Sequence, residues 1–257
     1  MVDTAAVMIE RETHGAVAVL RLAHGKVNAL DLELCDALAL ALRDEDRTDS
    51  RAVVLTGAGR AFSAGVDLKR LADGGADYAQ RFLPALDAMF CAVLDLSKPL
   101  VAAVNGHAIA GGCIVAAGCD HVLLARGSAR MGITELAVGV AFPALPLAMM
   151  AARVSPSQLR ALVYGAETYP PEESLARGLA DELCAPESLL PRALEVATKR
   201  AAVPAAAYTL TRRSFAEPIY EAVRRQRSLD EAAWATWSSD ETLTAVRAYL
   251  ASLAARG

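Results

Sequence analysis

The stretch NGHAIAGGCIVAAGCDHVLLA, residues 105–125, is apolar for most of its length, contains four glycines, and has no charged residue before Asp120. Glycine destabilises a helix interior by about 1 kcal/mol relative to alanine. A membrane span or a long regular helix therefore does not explain this density of glycine. The pattern instead predicts a buried strand at 98–106, a glycine loop, a short helix near 111–118 and a second strand at 120–125.

The composition describes a globular chain with an aliphatic core. The chain has 257 residues, of which 54% are hydrophobic and only 5% aromatic, and its net charge is −4. This length suits one large domain, or one domain with a small appendage. Lysine and arginine are scattered, so a nucleic-acid-binding surface is not predicted. The apolar runs 100–118 and 136–152 are interrupted by polar residues, glycine or proline, and we predict core segments and no membrane partner.

Cysteine usage and the N-terminus predict a cytoplasmic protein. The five cysteines are an odd number, and no Cys/His spacing is typical of a metal site, so no metal is expected. The first 15 residues lack the basic and apolar regions of a secretion signal. We therefore expect buried, reduced thiols.

Short strands alternate with helices through the first two-thirds of the chain, and helices alone fill the last quarter. This alternation predicts an α/β core followed by a helical C-terminal region. Proline is expected to interrupt the C-terminal helices near Pro204 and Pro218. Strands are predicted at 7–10, 16–21, 51–57, 98–106 and 120–125, and helices at 28–43, 76–96, 144–153, 155–165 and over most of 187–251.

Two junctions, SAGVD (63–67) and AGGC (110–113), each follow a predicted strand and open a predicted helix. The first N–H groups of a helix have no intrahelical acceptor, and glycine lets a ligand approach the backbone closely. Each loop alone is better explained as a tight entry into a helix, and the pair in this order is the more specific signal. Two such N–H groups that converge on one point would form an oxyanion hole.

The stretches AFSAGVDLKRL (61–71) and VNGHAIAGGCIVAAGCD (104–120) resemble the two signature loops of the crotonase superfamily, the enoyl-CoA hydratase/isomerase family. The resemblance extends from KVNAL (26–30) to the helical tail. It implies an α/β fold, a spiral of ββα units, with a core at 1–200 and a helical trimerisation region at 201–257. It also implies a homotrimer or a dimer of trimers. The implied substrate is an acyl-CoA thioester, so coenzyme A arrives with the substrate and no separate cofactor is expected.

The resemblance also assigns roles to individual positions. The backbone amides of Val66 and Gly111 match the family's oxyanion hole. The carbonyls of Ala64 and Leu68 match those that receive the adenine, and Lys69 matches a residue near the phosphates. Asp67 lies in the same coenzyme A-binding stretch, where we favour an N-cap over a catalytic acid.

One acid of the family's usual pair is missing. Members that hydrate enoyl-CoA carry a glutamate directly after the cysteine of the second loop, where this chain has Ile114. The second glutamate of the pair matches Glu135, in GITELAVGV (132–140), and Phe142 is expected to line the acyl pocket beyond it. Isoleucine can neither hold water nor titrate. One base is enough to move a double bond, since the same acid can return the proton. A single glutamate facing an aliphatic residue resembles the mitochondrial-type Δ3,Δ2-enoyl-CoA isomerases.

Several alternatives remain open from the sequence. The chain could be a hydratase with another acid, an enzyme of another enolate chemistry, or a non-catalytic acyl-CoA-binding homologue. Glu135 alone could be a solvated turn residue, and His107 could be a base or a packed loop histidine. Ser63 lacks the G-x-S-x-G context of a nucleophile.

Overall fold

The computed structural model describes residues 8–254 of the chain. Within that range, the strands form two sheets, and helices pack around both. The strands are β1 (Ile9–His14), β2 (Val17–Leu22), β3 (Ala52–Gly57), β4 (Ala61–Ser63), β5 (Leu100–Val104), β6 (His107–Ile109), β7 (His121–Ala125), β8 (Met131–Gly132), β9 (Thr168–Tyr169) and β10 (Glu182–Cys184). The helices are α1 (Leu32–Glu45), α2 (Leu68–Asp95), α3 (Gly111–Ala117), α4 (Ala144–Arg153), α5 (Pro156–Gly165), α6 (Pro171–Ala176), α7 (Leu189–Ala201), α8 (Ala205–Arg225), α9 (Arg227–Trp237) and α10 (Asp240–Ala254).

The order of the strands records a spiral of ββα units. The larger sheet has the order β1-β2-β3-β5-β7-β10, and the smaller sheet has the order β4-β6-β8-β9. The first unit, β1-β2-α1, places both strands in the larger sheet, whereas β3-β4-α2 and β5-β6-α3 each add one strand to the larger sheet, one to the smaller sheet and then a helix. Successive turns lie side by side, since β3 pairs in parallel with β5, and β4 with β6. The predicted α/β spiral is confirmed.

The larger sheet is buried on both faces, which explains its continuous apolar strands. In β3, Val53 and Leu55 pack into the main core, whereas Ala52 and Val54 pack into a second cluster on the opposite face. Helix α7 covers that second face with four buried side chains one helical turn apart, Leu189, Ala193, Ala197 and Ala201. Burial of both faces holds the strand ends, and therefore the loops that follow them, in fixed positions.

The last two helices cover their own chain's 3-10 helix, Glu135–Val138, and the loop that follows it. The indole N–H of Trp237 in α9 donates to the carbonyl of Ala141 at 2.9 Å. Thr242 in α10 donates to the carbonyl of Gly139 at 3.4 Å, and a Cβ on Gly139 would lie only 2.9 Å from that of Ala245. Because these contacts lie within one chain, the C-terminal helices cover the chain's own segment.

Two predicted helix boundaries are wrong. Asn28 does not begin a helix, because its backbone is left-handed (φ 50°); α1 begins four residues later, with Asp31 as its N-cap. Helix α8 continues through Pro218, whose neighbours Ala216 and Ile219 are buried and hold the helix together without the missing hydrogen bond.

The other predicted elements are found within a few residues of their expected positions. The exception is the start of the predicted strand 7–10, since residue 7 lies outside the described range. Helix α2 joins two predicted pieces and is interrupted at Gly75 (φ 60°, ψ −150°). Among residues 8–254, no helix is both long enough and apolar enough to span a membrane.

Candidate active site

The first signature loop is fixed by hydrogen bonds that leave one amide free. In residues 64–67, three amides donate within the chain: Ala64 to the carbonyl of Val27 (3.0 Å), Gly65 to the hydroxyl of Ser63 (3.2 Å), and Asp67 to the carbonyl of Leu30 (2.9 Å). Leu30 and Val66 form an isolated parallel bridge, and the Leu30 amide donates to the Gly65 carbonyl at 2.8 Å. The Val66 amide donates to no acceptor in the described part of the chain, so this amide is available to a ligand.

The second signature loop presents another unpaired amide beside the first. Ala110, before α3, has a left-handed backbone (φ 50°) that turns the chain from β6 into the helix. Gly111 is the first residue of α3, and its amide also lacks an acceptor among residues 8–254. The loops touch, because a Cβ on Gly65 would lie 2.6 Å from the Ile109 carbonyl oxygen and 3.4 Å from the Gly111 nitrogen. The two free amides therefore belong to backbones in direct contact, as an oxyanion hole requires.

Glu135 is a buried acid with an unpaired oxygen. It begins the 3-10 helix Glu135–Val138, its exposed fraction is 8%, and its Oε2 has no hydrogen-bond partner among the described residues. Burial raises the pKa of Glu135 to about 7. The segment that leads to Glu135 lies beside the start of α3, because Gly132 pairs with Ile109 and its carbonyl accepts from the Ala110 amide at 2.8 Å. A carboxyl group with this pKa can accept and return a proton near neutral pH.

The other buried acids in residues 8–254 are paired. Asp31 accepts from Arg70 and from His24, both at 2.7 Å, and from the amide of Leu34. Glu45 is bound by Arg11 and by two nearby hydroxyl groups. Since these carboxylates have structural partners, Glu135 is the buried acid that is free to act on a ligand.

The structure places each residue of the predicted coenzyme A-binding stretch near the first loop. Asp67 caps α2 by accepting from the Arg70 amide at 2.9 Å, which confirms the predicted N-cap. Ala64 and Leu68 are half-buried, and Lys69 is exposed and paired with Asp73 at 2.7 Å. The coenzyme A contacts themselves stay a prediction.

The two apolar residues of the predicted site are packed into the main core. Ile114 lies in the first turn of α3 and is only 2% exposed, so an aliphatic side chain occupies the position after Cys113. Phe142 is half-buried against the core just before α4. Within the described residues, no group of three His, Cys, Asp or Glu side chains could hold a metal ion.

The family model described as "Enoyl-CoA hydratase/isomerase" matches residues 12–253. The chain belongs to the enoyl-CoA hydratase/isomerase family. A "Probable enoyl-CoA hydratase" of Rhizobium meliloti is 32% identical over 242 residues, which are 91% of this chain and 92% of the relative. The structure is similar to that of the human mitochondrial delta3-delta2-enoyl-CoA isomerase, with a TM-score of 0.90 and 26% identity over 97% of this chain and 99% of that one. It is also similar to that of a probable enoyl-CoA hydratase of Mycobacterium tuberculosis, with a TM-score of 0.79 and 32% identity over 85% of this chain and 92% of that one.

This crotonase-fold enzyme contains two residues at or near the site that the sequence analysis missed. Asn28 is buried, and its side-chain amide donates to the carbonyls of Ala61 and Phe62, at 3.0 and 3.2 Å. The sequence KVNAL (26–30) predicts only a helix start at Asn28. Asp87 lies one helical turn before Phe90, whose ring is 3.9 Å from the position of a Cβ on Gly111. The sequence signal for Asp87 is an aspartate between the apolar residues Leu86 and Met89 in the predicted helix 76–96.

Asp87 differs from the acids that cap helices. Its carboxyl group makes no hydrogen bond or ion pair in the described part of the chain, and burial followed by the nearby Asp230 raises its pKa to about 7. Asp230 in α9 accepts from the Ala144 amide at the start of α4, at 2.7 Å. Asp120 by contrast is fully used, since it accepts from Leu100, Tyr208 and Arg212 and so ties α8 to β5 and β7.

Proposed function

We propose that this member of the enoyl-CoA hydratase/isomerase family is an isomerase that shifts a C3=C4 double bond of an acyl-CoA thioester to C2=C3. The observation that carries the proposal is Glu135, a buried acid with an unpaired oxygen, three residues after Gly132, whose carbonyl accepts from the Ala110 amide before α3; the other position of the usual acid pair is the aliphatic Ile114. The overall similarity to the human isomerase supports it, since the alignment includes 97% of this chain.

The proposed reaction needs one base and two hydrogen-bond donors. The amides of Val66 and Gly111 donate to the thioester carbonyl oxygen. The Glu135 carboxylate removes a proton from C2, and the electron pair forms a dienolate whose negative oxygen the two amides stabilise. The protonated Glu135 then delivers the same proton to C4. The C3=C4 double bond is lost, a C2=C3 double bond forms, and the thioester carbonyl is restored. No water is consumed, and exclusion of water protects the dienolate from other proton sources.

Two substrates test this proposal directly. The purified protein is given a 3-enoyl-CoA and, separately, a trans-2-enoyl-CoA, and the products are followed by absorbance and mass. We expect conversion of the first substrate to its 2-enoyl isomer and no addition of water to the second. Rapid hydration of the second substrate would refute the single-acid mechanism.

A matched variant separates an enzyme from a binding protein. Glu135→Ala should abolish isomerisation while the affinity for a saturated acyl-CoA, measured by calorimetry, changes by less than about threefold. An exposed control, Glu187→Ala on the 3-10 helix before α7, should leave both unchanged. If Glu135→Ala leaves the rate unchanged, the proposed role of Glu135 is wrong.

Hydration is the second candidate, because the Rhizobium and Mycobacterium relatives are named as probable hydratases. A hydratase needs a second acid in place of Ile114. Asp67 caps α2, and Asp120 accepts a hydrogen bond from the Leu100 amide of β5. Asp87 is then the remaining candidate, since it makes no hydrogen bond or ion pair in the described part of the chain. If the enzyme hydrates, Asp87→Asn should remove that activity, whereas the same change should leave isomerisation within about threefold.

We propose an assembly and a location as well. A homotrimer or a dimer of trimers is supported by α8, where Leu210 and Phe215 are 64% and 75% exposed. Phe215 also lines a mostly apolar cavity of 590 Å³ between α3, α4 and α8, away from the two amides. Light scattering should give a multiple of three chains, and Phe215→Asp should reduce it. The cytoplasmic location stays a proposal, which cell fractionation tests.

A further inference from the structure

Ser63 lies where the two signature loops meet, and the reaction proposed above gives it no role. It ends β4, its exposed fraction is 1%, and it directly precedes the loop that carries Val66. Its backbone packs on α3, because a Cβ on Gly112 would lie 2.5 Å from the Ser63 carbonyl oxygen and 2.7 Å from the Ser63 Cβ. Ser63 therefore makes one of the closest contacts between the two loops itself, and Gly65, which makes the other, is two residues further along the chain.

The hydroxyl of Ser63 fixes the shape of the first loop. It donates to the carbonyl of Asn28 at 2.7 Å and accepts from the amide of Gly65 at 3.2 Å. The Gly65 amide directly precedes that of Val66 in the chain. If the hydroxyl were absent, both the Asn28 carbonyl and the Gly65 amide would be left buried without this partner, at a cost comparable to a lost hydrogen bond for each.

The acceptor of that hydroxyl is held from several sides. Asn28 has a left-handed backbone (φ 50°), and its side chain accepts from the amide of His24 at 2.9 Å and donates to the carbonyls of Ala61 and Phe62. The Asn28 carbonyl is thus fixed relative to β4. Because the Ser63 hydroxyl binds both this carbonyl and the Gly65 amide, it also fixes the backbone of residues 64–66. The loop cannot shift relative to Asn28 and β4 without breaking one of these bonds.

We propose that Ser63 is a positioning residue that sets the separation and direction of the Val66 and Gly111 amides. It does not touch the reacting atoms. Its backbone spaces the first loop from α3, and its hydroxyl turns the Gly65–Val66 peptide toward the substrate carbonyl. This inference rests on the proposed oxyanion hole, and it applies equally whether the dienolate leads to isomerisation or to another enolate product.

The test compares Ser63→Ala with a matched buried serine. Ser174→Ala removes a hydroxyl that is 0% exposed and donates to the Tyr169 carbonyl at 3.0 Å, in a part of the fold that the two loops do not contact. For each variant, kcat, KM and the free energy of unfolding in urea are measured. The rate of exchange of the C2 proton of an acyl-CoA in D2O is measured as well, since this exchange reports enolate formation without requiring net turnover.

We expect Ser63→Ala to lower kcat and the exchange rate by about 10- to 100-fold while KM changes by less than about threefold, because a displacement of about 1 Å at a reacting centre can cost 100-fold in rate. Ser174→Ala should lose a similar amount of stability and keep its kcat within about twofold. Ser63→Cys retains the size and a weak donor and should recover part of the loss; it also serves if the alanine variant does not fold.

The outcomes separate this inference from the proposed reaction. A kcat for Ser63→Ala within twofold of the wild-type value, or a loss equal to that of Ser174→Ala, would overturn the positioning role. Wild-type protein that exchanges the C2 proton but does not move the double bond would refute the isomerase and leave the positioning role measurable by exchange. Absence of both activities in the wild-type protein would refute both.

Discussion

Replacement of Glu135 by glutamine should make the protein more stable and less active at the same time. The carboxyl group is buried, and one of its oxygens has no partner among the described residues. Its pKa is about 7 in the folded protein, against 4.5 for an unperturbed glutamate. Glu135 therefore loses its proton at a pH about 2.5 units lower in the unfolded chain than in the folded chain.

The sign and the size of the effect follow from that difference. Between pH 4.5 and 7 the folded state binds more protons than the unfolded state, so the contribution of Glu135 to stability falls as the pH rises and is constant above pH 7. Each pKa unit corresponds to about 1.36 kcal/mol, which gives a penalty of about 3 kcal/mol at pH 8 and under about 1 kcal/mol at pH 5. Glutamine has nearly the same shape and does not ionise. Glu135→Gln should thus gain about 2–3 kcal/mol relative to the wild-type protein between pH 5 and pH 8.

Urea unfolding at both pH values, together with kcat, provides the assay. We expect the gain in stability at pH 8 to coincide with a fall of at least about 100-fold in the rate of isomerisation, since general acid–base groups commonly contribute 10²- to 10⁴-fold. In the wild-type protein, kcat/KM should fall about tenfold per unit below pH 7, as the base becomes protonated. A stability difference that is the same at pH 5 and pH 8 would refute the burial argument. Full activity of the glutamine variant would refute the catalytic one.

Three further changes test other parts of the site. Gly65→Ala should lower kcat at least about 100-fold and destabilise the fold by about 2–3 kcal/mol, because its φ is +80° and the new Cβ would lie 2.6 Å from the Ile109 carbonyl oxygen. Gly59→Ala, with open space around it, is the control and should retain its activity. Asp87→Asn should raise stability by up to about 4 kcal/mol at pH 8 and not below pH 4, since burial raises the pKa of Asp87 from 3.8 to about 7; the exposed Asp77→Asn on the same helix should show no such trend in urea unfolding. Lys69→Ala should raise KM for acyl-CoA several-fold without changing KM for a thioester that lacks the nucleotide, and an equal rise for both would refute phosphate binding.

Local patterns were enough to predict most of the α/β fold. Continuous apolar strands such as β3 and β5, punctuated by glycine and proline, have a clear signal because they are buried on both faces. Ser155 before Pro156 marks the start of α5, and Asp67 marks the start of α2, since caps are local interactions. The two loops were found because their glycines are needed where backbones come into contact.

The features that were missed depend on contacts between distant parts of the chain. Asparagine is a residue type that commonly caps helices, yet the Asn28 side chain donates to a carbonyl of β4, 33 residues away. Helix α8 tolerates Pro218 because burial on either side of it outweighs one lost hydrogen bond, and the local sequence does not show that burial. The acidic environment of Asp87 also arises in three dimensions, since Asp230 is more than 140 residues further along the chain.

The cover provided by α9 and α10 has a consequence for the order in which the site is completed. Both signature loops are synthesised more than 100 residues before α9 and α10, whose Trp237 and Thr242 bond to the segment after Glu135. A nascent or truncated chain that ends before α9 would already contain both free amides, but water would reach the helix that carries the acid. The acid–base site is therefore complete only once α9 and α10 have been synthesised and packed, and a chain truncated before α9 would have the two donor amides with a Glu135 that water can reach.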